Sequence, residues 1–260
     1  MTPVVLMYHA LVAGELVPGA DPHYSVSESN FRQQLQLAKD ARLRLASVRD
    51  LMSHPEWENA SVGITFDDGH ISNFEVGVPL LVELQGSADF FVNPSTVGTT
   101  NHVSWSALRD MSLAGMSIQS HGYTHRYFDD LAPEEIRSEL RNSKLAIEDQ
   151  LGTQVTLFAP PGGRIDDRVH EAARECGYQG VCTSRPGRYR ASSWIVPRMA
   201  VLAESPLGKV EDWILGREPS MTIARSRYWI AYGMKRALGN SAYEQFRRLV
   251  LGLSGRGSRG

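Results

Sequence analysis

Two short stretches of this 260-residue chain carry side chains whose types and spacing suit the binding of a cation. The first is Val62-Gly63-Ile64-Thr65-Phe66-Asp67-Asp68-Gly69, an apolar run of strand character that stops at two adjacent carboxylates. Like charges a few ångströms apart are costly unless a cation or a shared proton relieves them. The same Asp-Asp-Gly also suits an ordinary turn, since these residue types dominate turns. The second stretch, Ser120-His121-Gly122-Tyr123-Thr124-His125, follows another short apolar run and places two imidazoles four residues apart. Two histidines and one carboxylate form a donor set suited to a divalent transition metal that keeps one position open for water. A third ionisable group, His9, ends the apolar run that begins at Pro3. An isolated histidine is by default a hydrogen-bonded structural residue.

The elements that must position these groups alternate in type. Strands are predicted at 3–9, 43–47, 62–67, 88–92, 116–119, 155–159, 180–183 and 195–201. Helices are predicted from the Ser27 cap to 41, at 48–52, at 71–84, from the Ser104 cap to 114, at 133–151 and at 167–176. The 133–151 segment is the clearest: Pro133 lies in the first turn, Glu134 and Glu135 sit at the positive end, and Ile136, Leu140 and Ile147 repeat at helical spacing. Residues 10–26, rich in Gly, Pro and polar side chains, read as a long surface loop. Strand and helix in alternation imply a parallel sheet, either open and doubly wound or closed as a (β/α) barrel. Because His9, Asp67, Asp68, His121, His125 and the 160–164 loop all follow apparent strands, and such ends converge on one face of a barrel, the barrel is favoured.

Composition narrows the function classes. The formal charge is −2, but residues 222–260 hold eight Lys/Arg and one acid, so the body is acidic and the tail basic. An acidic body repels phosphate backbones, which argues against nucleic acid as a partner. Cys176 and Cys182 are too few for a disulfide framework and read as buried thiols. No apolar run approaches membrane-spanning length, and the N-terminal residues lack the pattern of a signal peptide, so a cytoplasmic location is predicted.

Three motifs together carry a resemblance. Thr65-Phe66-Asp67-Asp68-Gly69, His121-Gly122-Tyr123-Thr124-His125 and Phe158-Ala159-Pro160-Pro161-Gly162-Gly163 resemble, in type, order and spacing, the first three motifs of the polysaccharide deacetylases, carbohydrate esterase family 4 with its NodB-homology domain. Leu6-Met7-Tyr8-His9 resembles the circularly permuted branch, in which the histidine of the last motif comes from the first strand. The resemblance implies a distorted (β/α) barrel of about seven parallel strands over residues 1–220; outside it, residue pattern and composition predict a basic helical extension at 221–252 and a disordered tail at 253–260. It also implies that Asp68, His121 and His125 bind one divalent metal, zinc or another first-row ion such as Co, Ni, Fe or Mn, with Asp67 as general base and His9, kept cationic by nearby carboxylates, as general acid. Gly162 and Gly163 would supply the oxyanion or substrate contact. The sequence departs from the family pattern at Gly162, where an aromatic residue is frequent, at Ala159, where an arginine is common, and at Gly122, where Ser or Thr is frequent. The arginine that tethers the base is then Arg164 or Arg198, and Arg198, in Val196-Pro197-Arg198-Met199, is preferred.

The implied activity is N-deacetylation of an amino sugar in a cell-surface glycan or glycolipid. The alternatives are a deacylase or deformylase of a lipid-linked or small-molecule amide, and a glycan-binding barrel without turnover. Four costly polar groups kept together at 67, 68, 121 and 125 argue against the last. Beyond the motifs, a helix is predicted at 221–238, with Arg225 and Arg227 beside Trp229 and Ile230, and a second from Ser241 to 251. Such helices either pack on the barrel with a solvated basic face or contact an anionic membrane surface that presents a lipid-linked substrate.

Overall fold

The structure is a computed structural model that describes residues 2–14, 20–217 and 219–238. Its strands are β1 (Val5–Tyr8), β2 (Ala10–Val12), β3 (Ser25–Ser27), β4 (Arg44–Ala46), β5 (Ser61–Phe66), β6 (Asp89–Val92), β7 (Ser117–Ser120), β8 (Leu157–Phe158), β9 (Gly180–Thr183), β10 (Ile195–Pro197) and β11 (Met199–Ala200). Its helices are α1 (Glu28–Asp40), α2 (Val48–Ser53), α3 (Val78–Glu83), α4 (Trp105–Leu113), α5 (Pro133–Leu151), α6 (Asp167–Glu175), α7 (Leu207–Leu215) and α8 (Ser220–Leu238). Several helix starts follow directly from capping: the side chains of Ser27, Ser104 and Asp166 each accept an otherwise unpartnered backbone N–H of the first turn.

The main sheet is entirely parallel and runs β10-β9-β8-β7-β6-β5-β1-β11. Its two ends are the two halves of one bent segment: β10 pairs with β9 on one side of Arg198, and β11 pairs with β1 on the other. Counted as one strand, that segment makes a ring of seven, nearly closed into a barrel with helices around it. The distortion lies at β4, which pairs with Ser61–Gly63 on the edge of β5 that β6 takes over at Thr65 and Phe66.

Alternation along the strands sorts the core in two. Leu6, Tyr8, Phe90, Phe158 and Val181 point outward and pack under the helices. Val5, Phe91, Leu157, Cys182 and Val196 point inward, where with Ala46 and Tyr189 they fill the barrel. Every residue of β5 is buried, which explains its continuous apolar reading.

Four sequence expectations change. Residues 10–26 are not simply a loop: β2 and β3 form a small parallel sheet, because Leu11 and Val26 find burial there and Leu11 N–H is accepted by Ser72 Oγ. The helix expected at 71–84 widens into a π-turn at Asn73–Gly77, from which Asn73 Nδ2 reaches the carbonyl of His9. The strand expected at 195–201 breaks at Arg198. Helix α7 was not foreseen; Val210, Trp213 and Ile214 bury its inner face, and it packs between α1 and α8. The expected second C-terminal helix at 241–251 and the tail at 253–260 lie outside the described residues. No described helix is long and apolar enough to cross a membrane.

Candidate active site

All strands of the ring point the same way, so their C-terminal ends meet at one rim, and the ionisable groups gather there. Asp67 follows β5, its N–H bonded to the carbonyl of Tyr8 on the neighbouring strand. Successive residues of a strand face opposite ways, yet Asp67 and Asp68 both line the same cleft. The chain manages this by turning at Asp68, whose φ is +73°, and Gly69 continues the turn at +65°. His121 follows β7, with its N–H on the carbonyl of Val92. Gly122 and His125 also adopt left-handed φ, +77° and +61°, curling the loop so that both imidazoles return to Asp68.

Asp68 Oδ1 lies 3.1 Å from His121 Nε2 and 3.1 Å from His125 Nε2. One donor atom from each of the three residues falls within 4.8 Å of the others. Donors about 2.1 Å from a tetrahedral ion sit about 3.4 Å apart, so little closure separates this cluster from a metal site. The tautomer agrees: His121 Nδ1 is 2.7 Å from the carbonyl of Ala159, a contact that fixes the proton on Nδ1 and leaves Nε2 as a lone-pair donor. The residues present therefore fit a divalent ion.

Asp67 is held differently. Arg198 grips it as a fork, Nη1 to Oδ1 at 2.6 Å and Nη2 to Oδ2 at 2.8 Å, with both side chains buried. The guanidinium is steadied by the carbonyl of Thr183 and the hydroxyl of Thr65. Arg164 stands elsewhere, 3.9 Å from the centre of the Tyr127 ring. Burial alone would push the Asp67 carboxyl up, but the charges of Arg198, His121 and His9 outweigh it and hold it below the usual carboxylate range. Burial likewise opposes the charged form of Asp68, and bonds from His121 and His125 reverse that to hold it well below. His125 is raised, because Asp68 outweighs the effect of burial.

Two expectations are revised. His9 reaches the cleft beside both aspartates, but burial lowers its pKa by more than Asp68 and Asp67 raise it, so it is not kept cationic. Its Nδ1 is buried without a hydrogen-bond partner. Gly163 donates its N–H to the carbonyl of Pro160, which removes it as an oxyanion donor; Gly162 is the glycine of that loop that lines the cleft. An added Cβ at Gly162 would fall 2.8 Å from the Tyr127 ring, so tyrosine from another loop closes the space against a side chain there.

Sequence reasoning missed the residues that brace the site. Glu139 on α5, which is buried, accepts the N–H groups of Tyr123 and Thr124 and the Thr124 hydroxyl, fixing the turn between the histidines. Asn93 Nδ2 bonds the carbonyls of His121 and Gly122. His70, one residue past the Asp-Asp-Gly turn, is buried in the cleft lining with Nε2 unpartnered. A single acid in the apolar repeat of α5 was the only signal for Glu139.

The match with known proteins falls on this rim. Residues 55–181 match the sequence profile described as polysaccharide deacetylase. That segment is a polysaccharide deacetylase domain. YxkH of Bacillus subtilis (strain 168) is 29% identical over 187 residues, 70% of this chain and 64% of that one. The peptidoglycan-N-acetylglucosamine deacetylase of Bacillus cereus is 31% identical over 124 residues, 47% of this chain and 56% of that one. The chain thus spans less than two thirds of the first relative's length and little over half of the second's. The Streptococcus pyogenes deacetylase PplD, solved in complex with acetate, shares the fold at a TM-score of 0.74 with 24% identity, covering 84% of this chain and 99% of that one. Within the family match lie Asp67, Asp68, His121, His125 and Gly162; His9 and Arg198 fall outside it.

Proposed function

We propose that this chain is a metal-dependent carbohydrate N-deacetylase that removes the N-acyl group, in the first instance acetyl, from an amino sugar of a cell-surface glycan or glycolipid. The observation that carries the proposal is the pairing of a three-donor cluster, Asp68, His121 and His125, with a buried carboxylate, Asp67, gripped by Arg198 in the same cleft. A divalent ion held by those three residues would polarise the amide carbonyl and make a water acidic enough to attack it.

The chain's own groups do the rest. Asp67, fully charged at neutral pH and oriented by the Arg198 fork, takes the proton of the attacking water. The backbone at Gly162 faces the oxygen that becomes negative. His9, which burial leaves neutral at rest, takes up the proton that Asp67 removes from the water and passes it to the departing nitrogen as the C–N bond breaks. The products are a carboxylate and a free amine. Supply of this histidine from the first strand, ahead of the carboxylate motif, supports the circularly permuted arrangement for this chain.

Metal content by elemental analysis, on the wild type, His121→Ala and Asp67→Asn, tests the proposal beside hydrolysis of N-acetylated saccharides. About one ion per chain is expected in the wild type, loss of it in His121→Ala, and retention of it without hydrolysis in Asp67→Asn. No metal in the wild type after incubation with zinc, cobalt or nickel, or an active Asp67→Asn, would refute it.

A further inference from the structure

The cleft, about 710 Å³ in volume, has a second wall that lies beyond the family match. Helices α7 and α8 bring Lys209, Trp213, Arg227 and Tyr228 to the space that also holds Asp67, Asp68 and His125. Lys209 Nζ sits 4.8 Å from the centre of the Trp213 ring. Trp213 is only 2% exposed, and its Nε1 donor is buried without a partner. Its carbonyl is tied to Arg188 at 2.9 Å, and Tyr228 bonds Arg185, so both helices are anchored to the segment that follows β9.

This wall carries two cations and no carboxylate among Lys209, Trp213, Arg227 and Tyr228. Among the described residues, no carboxylate forms a salt bridge with Lys209 or Arg227, and the charge acting on Lys209, besides burial, is that of Arg227. The acids of the cleft are engaged elsewhere: Asp67 by Arg198, Asp68 by the two histidines, and Asp21 by the N–H of His23. Two neighbouring cations are unfavourable until an anion meets them.

We propose that this wall seats a phosphate ester of the substrate, so that the enzyme acts on an N-acylated amino sugar that also carries phosphate. The inference rests on the deacetylase reading above and names its substrate class. A phosphate monoester at neutral pH carries about −1.5 to −2 charges and a diester about −1, each with several acceptor oxygens, which suits donors spread over two helices. A planar carboxylate favours a single arginine fork instead. The phosphate belongs either to a soluble sugar phosphate or to the head of a lipid carrier, and the outer face of α8 exposes Ile223, Trp229 and Ile230 beside the cleft.

The test uses the zinc-loaded full chain and the double variant Lys209→Ala/Arg227→Ala. Affinities for N-acetylglucosamine 1-phosphate and for N-acetylglucosamine are measured by calorimetry, and kcat/KM for the phosphorylated sugar is compared with that for the neutral N-acetylglucosamine tetramer. The phosphorylated sugar is expected to bind about tenfold more tightly than the neutral one, and the double variant to lose about that factor, 1.4 kcal/mol, in both the affinity ratio and the kcat/KM ratio. Both proteins keep the same metal site, so the difference isolates the wall. Equal affinities in the wild type, or unchanged ratios in the variant, overturn the inference. Should the double variant fail to fold, the exposed Arg227→Gln carries the same comparison. Hydrolysis of the neutral tetramer with no preference for phosphate sinks this inference and leaves the deacetylase reading standing. A phosphate-dependent difference in binding without hydrolysis of any N-acetyl sugar does the reverse. Vesicles carrying the sugar on a polyprenyl phosphate separate the two sources: faster turnover there assigns the phosphate to a lipid, and equal turnover to a soluble ester.

Discussion

Replacing Arg198 by methionine leaves Asp67 as a buried carboxylate without its fork. The side chains of Arg198 and Asp67 are 0% and 5% exposed, so water cannot take the place of the guanidinium. Breaking a buried pair from one side costs about 3–5 kcal/mol. Asp89, on β6 of the same barrel, gives an independent scale. It is buried with a backbone N–H from Val48 and no guanidinium fork, and its pKa is pushed up from 3.8 to about 7. At 1.36 kcal/mol per pKa step, a rise of that size in Asp67 corresponds to roughly 4 kcal/mol at neutral pH. Urea unfolding of the wild type, Arg198→Met, Asp67→Asn and the double variant between pH 5 and 8 measures it. The single arginine variant should lose about 3–5 kcal/mol at pH 7, and the double variant less, because no orphaned charge remains. The pH dependence should also change sign. In the wild type the depressed pKa of Asp67 contributes stability that disappears only as pH falls through a value below 3.8. Without Arg198 the folded pKa lies above the unfolded one, so stability is greatest in acid and falls as pH rises. A loss under about 1 kcal/mol, with no new slope, would refute the reasoning.

Asp89 itself supplies the next test: with a folded pKa raised to about 7, it favours folding below pH 4 and loses that advantage as pH rises through 7, a slope worth up to about 4 kcal/mol that Asp89→Asn should remove. Chemical denaturation at pH 5 and pH 8 decides it; an unchanged slope counts against the assignment. Glu139→Gln turns a triple acceptor into a partial donor behind the loop that joins the two histidines, and zinc affinity by chelator competition should fall about 10- to 100-fold. Equal affinities would mean that the loop holds its shape without the carboxylate. Gly122→Ala forces a side chain into φ +77° with its Cβ 3.0 Å from the Phe128 ring, so a loss of about 1–3 kcal/mol is expected, and an unshifted Tm would contradict it.

The barrel and its rim were readable because strand and helix alternate and because the charged groups follow the apolar runs. Asp67, Asp68, His121 and His125 meet where their spacing placed them, since each follows a strand whose direction is fixed by the parallel sheet. What was not readable depends on distance along the chain. The choice between Arg164 and Arg198 needed the ring itself, because Arg198 reaches Asp67 only where the last strand bends back beside the first. Gly163 looked like a donor until its N–H was seen to close the turn on Pro160. The cationic state assigned to His9 weighed the nearby carboxylates and left out burial. Helix α7 carries a short apolar stripe between Pro206 and Gly216, and its meaning came from α1, which covers it.

The bend at Arg198 has a consequence for how the molecule is made. Leu6 must wait for Met199 before β1 gains its second neighbour, and closures between such distant positions are slow to form. A chain synthesised as far as residue 194 already contains Asp68, His121 and His125, yet it has an open sheet and no guanidinium fork on Asp67. Docking of the final segment seals the ring and delivers the guanidinium in one event. Readiness of the site is thereby tied to synthesis of the segment around Arg198, and a nascent barrel lacks the fork on Asp67 until that strand arrives.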